Sequence, residues 1–408
     1  MKVGLISPYD WSYPGGVKSH IAHLATELRA RGHRVRILTP ATGLAARRVE
    51  YGTYKLGPTA PLGVNGSVAR IAITPDITGR IKGLLERERF DVIHAHEPLV
   101  SLLSLALLRQ AHRLGMVTVG TFHASVRRGR VSTPPEWAYA LARPWLRSSF
   151  EHLDGRIAVS EAAQQFVGHY FQDEFRIIPN GVDVAWYRDG LALPEYADGK
   201  LNVLFLGRIE KRKGLKFLLR AIPLVREHVP DTRFIIVGDG PLRREYERLV
   251  ARAGWADVHF VGRVSERLKP AYYASADVFC APNIGSESQG IVLLEALSAG
   301  APTVASAIPG YRSVIRDGIE GWLVPPKDHQ QLAWAICHLL TSPAERMRLR
   351  HLGRLRAEVF SWERVAGKVE AYYEELLSLR AGALATRESQ QLTPLAALTS
   401  LLARDERV

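Results

Sequence analysis

Residues 7–40 read SPYDWSYPGGVKSHIAHLATELRARGHRVRILTP. The apolar run Val3–Ile6 precedes them, and a second one, Val35–Leu38, lies near their end. Between the two, Val17–Arg31 carries apolar residues at helical spacing with a charged outer face, so a strand, a glycine loop, a helix and a strand follow in order. Two buried strands joined through a helix make a parallel pair. The loop centres on Pro14-Gly15-Gly16-Val17. Glycine is costly in regular structure, so its place is a sharp turn or a close approach to backbone. Either the chain simply turns here, or the open N-terminus of the helix offers its N–H groups to a phosphate. The pattern is neither G-x-G-x-x-G nor a P-loop.

The same alternation runs outward along most of the chain. Val92–His94, Val117–Gly120 and Ile157–Val159 read as further buried strands, and Thr78–Glu88 as a helix. After Asn180 the pattern restarts. Val203–Leu206, Phe234–Val237, Val258–Phe260, Val278–Cys280, Thr303–Ala305 and Trp322–Val324 are expected strands, with helices at Leu215–Glu227, Leu242–Ala253 and Gly290–Ala299. The expected fold class is therefore α/β, with two doubly wound Rossmann-like domains facing across a cleft. A chain of 408 residues is too long for a single core. The polar stretch Asp183–Lys200 is the expected hinge, dividing residues 1–184 from 185–365. Long helical patterns at Ala344–Val359 and Trp362–Leu379 follow, and residues 381–408 read as a tail.

The net charge of +13 asks for an anionic partner. No nucleic-acid module is present, and the basic residues are spread along the chain, so nucleic acid is not the expected partner. The two cysteines, Cys280 and Cys337, have no metal-ligand spacing and suit a reducing compartment. No apolar stretch approaches a membrane span, which leads to the expectation of a cytoplasmic protein, at most attached to a membrane surface.

Ligands of such folds bind beyond the carboxyl ends of the strands, and three stretches there carry chemistry. In LFLGRIEKRKG, Arg208, Lys211, Arg212 and Lys213 crowd beside Gly214, the residue types that hold a diphosphate. In APNIGSESQGIVLLEALSAG, Glu287 and Glu295 lie eight apart, as on one helical face. Glu295 stands in an apolar run and needs a dedicated partner, either a salt bridge or a hydroxyl pair of a sugar. His94 and His96 alternate at a strand end with no third ligand evident, and no Asp-x-Asp is present, so no protein-bound metal is expected.

Gly-Gly-Val after the first strand, HAHEP, TFHAS, IPNGVDV, GRIEKRKG, VGDGP and the Glu287–Glu295 pair occur in one order. Over residues 1–375 this resembles the retaining glycosyltransferases of the GT-B fold, family four, and most of all the mycobacterial-type branch that mannosylates phosphatidylinositol. The resemblance implies that the helix at 366–380 returns to the first domain. It implies donor contacts from Gly16, Arg208 and Lys213 to a diphosphate, from Glu287 to the sugar hydroxyls and from Glu295 to the ribose. His123 would lie beside the sugar, and Val264, Glu266 and Lys269 around the base. On the acceptor side it points to Tyr9, Lys18, Asn65, Ser67 and Arg70. Lys18 replaces a glutamine of that branch, and Val64 stands where it has a tyrosine.

The implied reaction moves a hexose, mannose from GDP-mannose, onto a phosphorylated lipid headgroup such as phosphatidylinositol. No tightly bound cofactor is implied, and Mg2+ enters only as a companion of the diphosphate. Arg127, Arg128, Arg130, Arg143 and Arg147, with Trp137, Tyr139 and Trp145, suit an anionic bilayer on the inner face of the cell membrane. They equally suit a solvated helix. A transferase for a polysaccharide or soluble glycoside and a nucleotide-sugar epimerase remain alternatives.

Overall fold

The computed structural model describes residues 1–13, 15–42, 52–57, 59–64, 67–72, 78–125, 144 and 146–405. Its strands are β1 (Lys2–Ile6), β2 (Arg34–Thr39), β3 (Thr53–Lys55), β4 (Thr59–Val64), β5 (Ser67–Ala72), β6 (Val92–His96), β7 (Val117–Phe122), β8 (Gly155–Ala158) and β9 (Arg176–Ile177) in the first half. The second half has β10 (Leu201–Leu206), β11 (Thr232–Val237), β12 (Val258–Gly262), β13 (Val278–Ala281), β14 (Thr303–Ser306) and β15 (Trp322–Val324). All expected strands are present.

β1 pairs in parallel with both β2 and β6, and β10 with both β11 and β13. The first sheet runs β3-β2-β1-β6-β7-β8-β9 and the second β12-β11-β10-β13-β14-β15. In each, the strand order reverses beside the founding strand, between β1 and β6 and between β10 and β13. Crevices for ligands open at such reversals, outside the carboxyl ends of the strands. The architecture is the doubly wound α/β pair read from the sequence.

The apolar runs are buried on both faces because helices cover both sides of each sheet. On the first sheet the helix Gly16–Ala30 buries Ile21, Leu24, Ala25 and Leu28 against Val3, Leu5, Val35 and Ile37. Val365, Ala366, Val369, Tyr373 and Leu376 belong to the same core, so the final helix lies on the first sheet. Its docking is reinforced at the edge, where Glu370 meets Arg31 at 2.9 Å and His33 at 2.7 Å. That helix is continuous from Trp362 to Asp405 and runs through most of the stretch expected as a tail. The helix runs on past Gly382 and Pro394, residues that ordinarily weaken or stop one.

Candidate active site

At the second reversal, the loops after β10 and β13 come together. Gly214 closes the turn Lys211–Lys213 at φ 71°, and a Cβ there would stand 1.8 Å from the Pro282 carbonyl oxygen. Only glycine permits that approach. It seats Lys213 against Glu287, with Nζ 2.5 Å from Oε1. Arg212 pairs with the same oxygen, and Asn283 Nδ2 donates to it at 2.9 Å. Burial alone would raise the Glu287 carboxyl, but the charges of Lys213 and Arg212 outweigh it and hold it below the usual carboxylate range. Arg208 is half exposed, with Nη2 3.6 Å from the carboxylate of the buried Glu210.

Glu287 and Glu295 do not share a helical face. The helix begins at Ile291, after Gly290 at φ 87°, and Ser286 in the loop stands at φ 59°. A non-glycine residue held there marks a loop whose shape is set by its surroundings. Glu295 instead joins a second cluster, where it accepts the Tyr273 hydroxyl at 2.8 Å and faces Lys269 Nζ at 3.5 Å. Lys269 Nζ also meets Glu266 at 2.7 Å, while Val264 packs on the core beside it. Burial opposes the charge on Lys269, yet Glu295 and Glu266 hold its ammonium above the ordinary lysine range. The buried carboxylate therefore has protein partners of its own, which the sequence reading weighed as the salt-bridge alternative.

At the first reversal, the helix from Gly16 has no side-chain cap, and its N-cap Gly15 is in ordinary extended backbone. Neither glycine is needed for a turn. A Cβ on Gly16 would meet only Ile291 Cδ1, at 3.8 Å, at the start of the second-domain helix. The glycines leave the first N–H groups of this helix without a side-chain cap, next to the start of the helix that follows the Glu287 loop.

His123 follows β7. Its backbone N–H donates to Glu97 Oε1 at 2.7 Å, and Glu97 is buried at φ 48° beyond the end of β6. Burial pushes the Glu97 carboxyl up to about 7 against the two backbone hydrogen bonds that favour its charge. His123, His96 and His20 converge, with ring nitrogens all within 4.8 Å. The third ring, absent from the sequence reading of His94 and His96, arrives from the helix Gly16–Ala30. His94 turns away from this group to bond Tyr373 and Thr121, each at 2.6 Å. Burial drives all four imidazoles down, His94 to about 3 and His123 to about 4, so they are neutral near pH 7.

Of the residues expected to meet the acceptor, Tyr9 lies in the loop after β1, and burial together with the nearby Glu97 charge raises its phenol. Lys18 Nζ donates to the Trp11 carbonyl at 2.5 Å and stands 5.3 Å over the Trp11 ring. Ser67 and Arg70 are on β5, which pairs with β4. The buried Asp10 accepts the Thr59 hydroxyl at 2.7 Å and so ties that hairpin to the loop of Tyr9. Asn65 lies outside the described residues, as do Arg127, Arg128, Arg130, Arg143, Trp137, Tyr139 and Trp145. Arg147 is described and pairs with Glu151 at 2.9 Å.

Sequence reasoning left three residues out of the site: Glu97, Asn180 and Gln289. Each stands inside a quoted motif, and Arg212, expected only among the cations of the diphosphate, also meets Glu287. No helix among the described residues is long and apolar enough to cross a membrane.

Two doubly wound domains meet over a cationic cluster and an uncapped helix start, and the comparisons with known proteins make this chain a glycosyltransferase. Residues 14–186 match the model for Glycosyltransferase Family 4, and residues 200–342 that for Glycosyl transferases group 1. The chain belongs to glycosyltransferase family 4. It is similar to the phosphatidyl-myo-inositol mannosyltransferase of Mycobacterium leprae, 40% identical over 92% of this chain and 96% of that one. The protein of the same name from Mycobacterium tuberculosis is 38% identical over 92% and 97%. Among solved structures, sucrose-phosphate synthase from Thermosynechococcus elongatus superposes with a TM-score of 0.73 at 22% identity, covering 93% of this chain and 99% of that one. HepE of Anabaena, in complex with UDP and glucose, gives 0.71 at 18%, covering 92% and 100%. At those identities they show the shared fold.

Proposed function

We propose that the enzyme transfers mannose from GDP-mannose, with retention, to the inositol of phosphatidylinositol at the inner face of the cell membrane. The observation that carries this is the convergence of Lys213, Arg212 and Glu287 opposite Gly16, in a chain 40% identical to such a mannosyltransferase.

In this reading Arg208, Lys213 and the Gly16 N–H take the diphosphate of the nucleotide sugar. Lys213 would exchange part of its contact with Glu287 for phosphate oxygen. Glu287 holds sugar hydroxyls, and Glu295 with Lys269, Val264 and Glu266 lines the nucleoside end. His123 lies beside the sugar. Tyr9, Lys18, Asn65, Ser67 and Arg70 form the acceptor side, where added positive charge at Lys18 suits a phosphorylated headgroup. Glu287 is held by two cations and an amide, which suits orienting hydroxyls better than attack on the anomeric carbon. A same-face route follows: the C–O bond to the diphosphate breaks, the acceptor oxygen bonds on that face, and the departing phosphate takes its proton. The protein supplies alignment and charge stabilisation. Mg2+ has no role beyond accompanying the diphosphate.

The test is transfer of labelled mannose from GDP-mannose to vesicles containing phosphatidylinositol, against UDP-glucose as donor and soluble inositol phosphate as acceptor. Lipid-dependent product from GDP-mannose is expected. Equal rates with the soluble acceptor, or preference for the UDP sugar, would overturn the reading. Anionic vesicles should sediment the protein at low salt and release it at high salt, since each basic residue near the surface contributes about 1 kcal/mol.

A further inference from the structure

A directional hydrogen-bond chain crosses from the second domain to the sugar-side histidine. Gln289, fully buried on the Glu287 loop, accepts the backbone N–H of Asn180 at 2.7 Å and its Nδ2 at 2.8 Å through one oxygen, Oε1. A backbone N–H can only donate, so the atom facing it must be the oxygen of Gln289. The side-chain atom of Asn180 bonded to that oxygen must in turn be its NH2. Asn180 Oδ1 is left facing His123 Nδ1, at 3.1 Å. An amide oxygen only accepts, so Nδ1 of His123 carries the hydrogen. His123 is neutral near pH 7 because burial pushes it down to about 4. Its Nε2 is therefore a bare acceptor, and His96 Nδ1, 3.0 Å away, is the donor to it. The far nitrogen of His96, Nε2, is then bare as well and has no partner among the described residues. The backbone N–H of Asn180 dictates the series as far as the proton on His123 Nδ1, and the neutrality of the two rings dictates the rest.

We propose that Gln289 and Asn180 are positioning residues that fix which nitrogen of His123 carries its proton, leaving Nε2 unprotonated to accept from His96, so that the ring is held in one orientation beside the site. This rests on the reading of His123 as the residue beside the transferred sugar. With the proton on Nδ1, His123 donates to Asn180 and accepts from His96 at Nε2, which holds the ring in one orientation; with the opposite tautomer it would lose its tie to Asn180 and set its own N–H against that of His96. The chain spans both domains, so separating the Glu287 loop from Asn180 releases the constraint. Gln289 Nε2 itself has no partner among the described residues, which makes the oxygen the part of this side chain that matters.

The tautomer is read on the free, 15N-labelled full-length protein by long-range ring correlations, which require no substrate. His123 is expected to show a protonated Nδ1 and a pyridine-like Nε2, with Nδ1 of His96 protonated. Gln289→Leu keeps the volume but removes the acceptor. It should shift the His123 ring toward a protonated Nε2 and lower kcat roughly ten- to thirty-fold, with the Kd of bare GDP within about twofold of wild type. Gln289→Glu keeps an oxygen at the same place and should restore both. A wild-type His123 protonated at Nε2 overturns the inference, as does a folded Gln289→Leu protein with an unchanged ring spectrum. Should Gln289→Leu fail to fold, the wild-type and Gln289→Glu spectra decide. A wild type with the expected spectrum but no transfer from GDP-mannose defeats the functional proposal and leaves the tautomer assignment standing.

Discussion

The two sides of the cleft solve the same problem, polar groups in a dry place, by opposite means. The first domain gathers His20, His94, His96 and His123 as neutral rings in mutual contact, with His96 hydrogen-bonded to His123 and His94 to Tyr373. The second buries charge, pairing Glu287 with Lys213 and Arg212, and Glu295 with Lys269. Neutral rings cost less to bury and stay satisfied only while their protons are correctly placed. Paired ions cost more, and each partner left alone is heavily penalised. The difference predicts that acid should attack one side and substitution the other.

The largest expected effect is acid instability of the histidine side. In the unfolded chain these rings take up protons as pH falls through about 6.5, whereas the folded rings resist until about 4 or lower. The unfolded state therefore binds more protons across that window, and stability rises with pH. Glu97, raised to about 7, works against this, since the folded state holds its proton longer. Four rings against one carboxyl leave a net loss of stability on going from pH 7 to pH 5, visible as a lowered denaturation midpoint. A midpoint independent of pH in this range would mean that the rings are not buried as neutral groups.

Glu287→Leu comes next. It leaves Lys213 and Arg212 without their shared partner and should cost about 3 kcal/mol in chemical denaturation. Sugar transfer should be lost, while bare GDP binds at least as well as to wild type because Lys213 is released toward the phosphates. Weaker GDP binding by calorimetry would contradict that division between sugar and phosphate ends.

Arg208→Ala and Lys213→Ala should each remove roughly 1.5–3 kcal/mol of transition-state stabilisation, about 10- to 150-fold in kcat/KM. Retention of near wild-type turnover in both would place the donor elsewhere. The smallest effect is expected for Glu295→Gln, which keeps an acceptor for Tyr273 but weakens the pairing with Lys269. About 1 kcal/mol, or fivefold in GDP affinity, is anticipated, with the acceptor KM unchanged. A change in acceptor KM instead would show that the second cluster does not serve the nucleoside end.

The alternation of apolar runs and helical patterns determined the two parallel sheets, because strands buried on both faces cannot be disguised in sequence. Motif spacing likewise carried Gly16, Lys213 and Glu287 to strand ends, where such folds open, while His123 came through the family resemblance. Pairing across sequence distance was not legible. Arg212 and Lys213 lie next to each other on the chain, and only the turn at Gly214 packed against Pro282 decides that both meet Glu287. Glu287 and Glu295 looked like helical neighbours until Gly290 broke the helix between them. His20, His96 and His123 come from a helix, a strand and a loop, and no spacing announces their meeting. Local periodicity is written in the sequence because each residue feels its near neighbours. The protonation of His123 depends on Asn180 and Gln289, 57 and 109 residues further along in successive steps, and is decided only when the two domains close on one another.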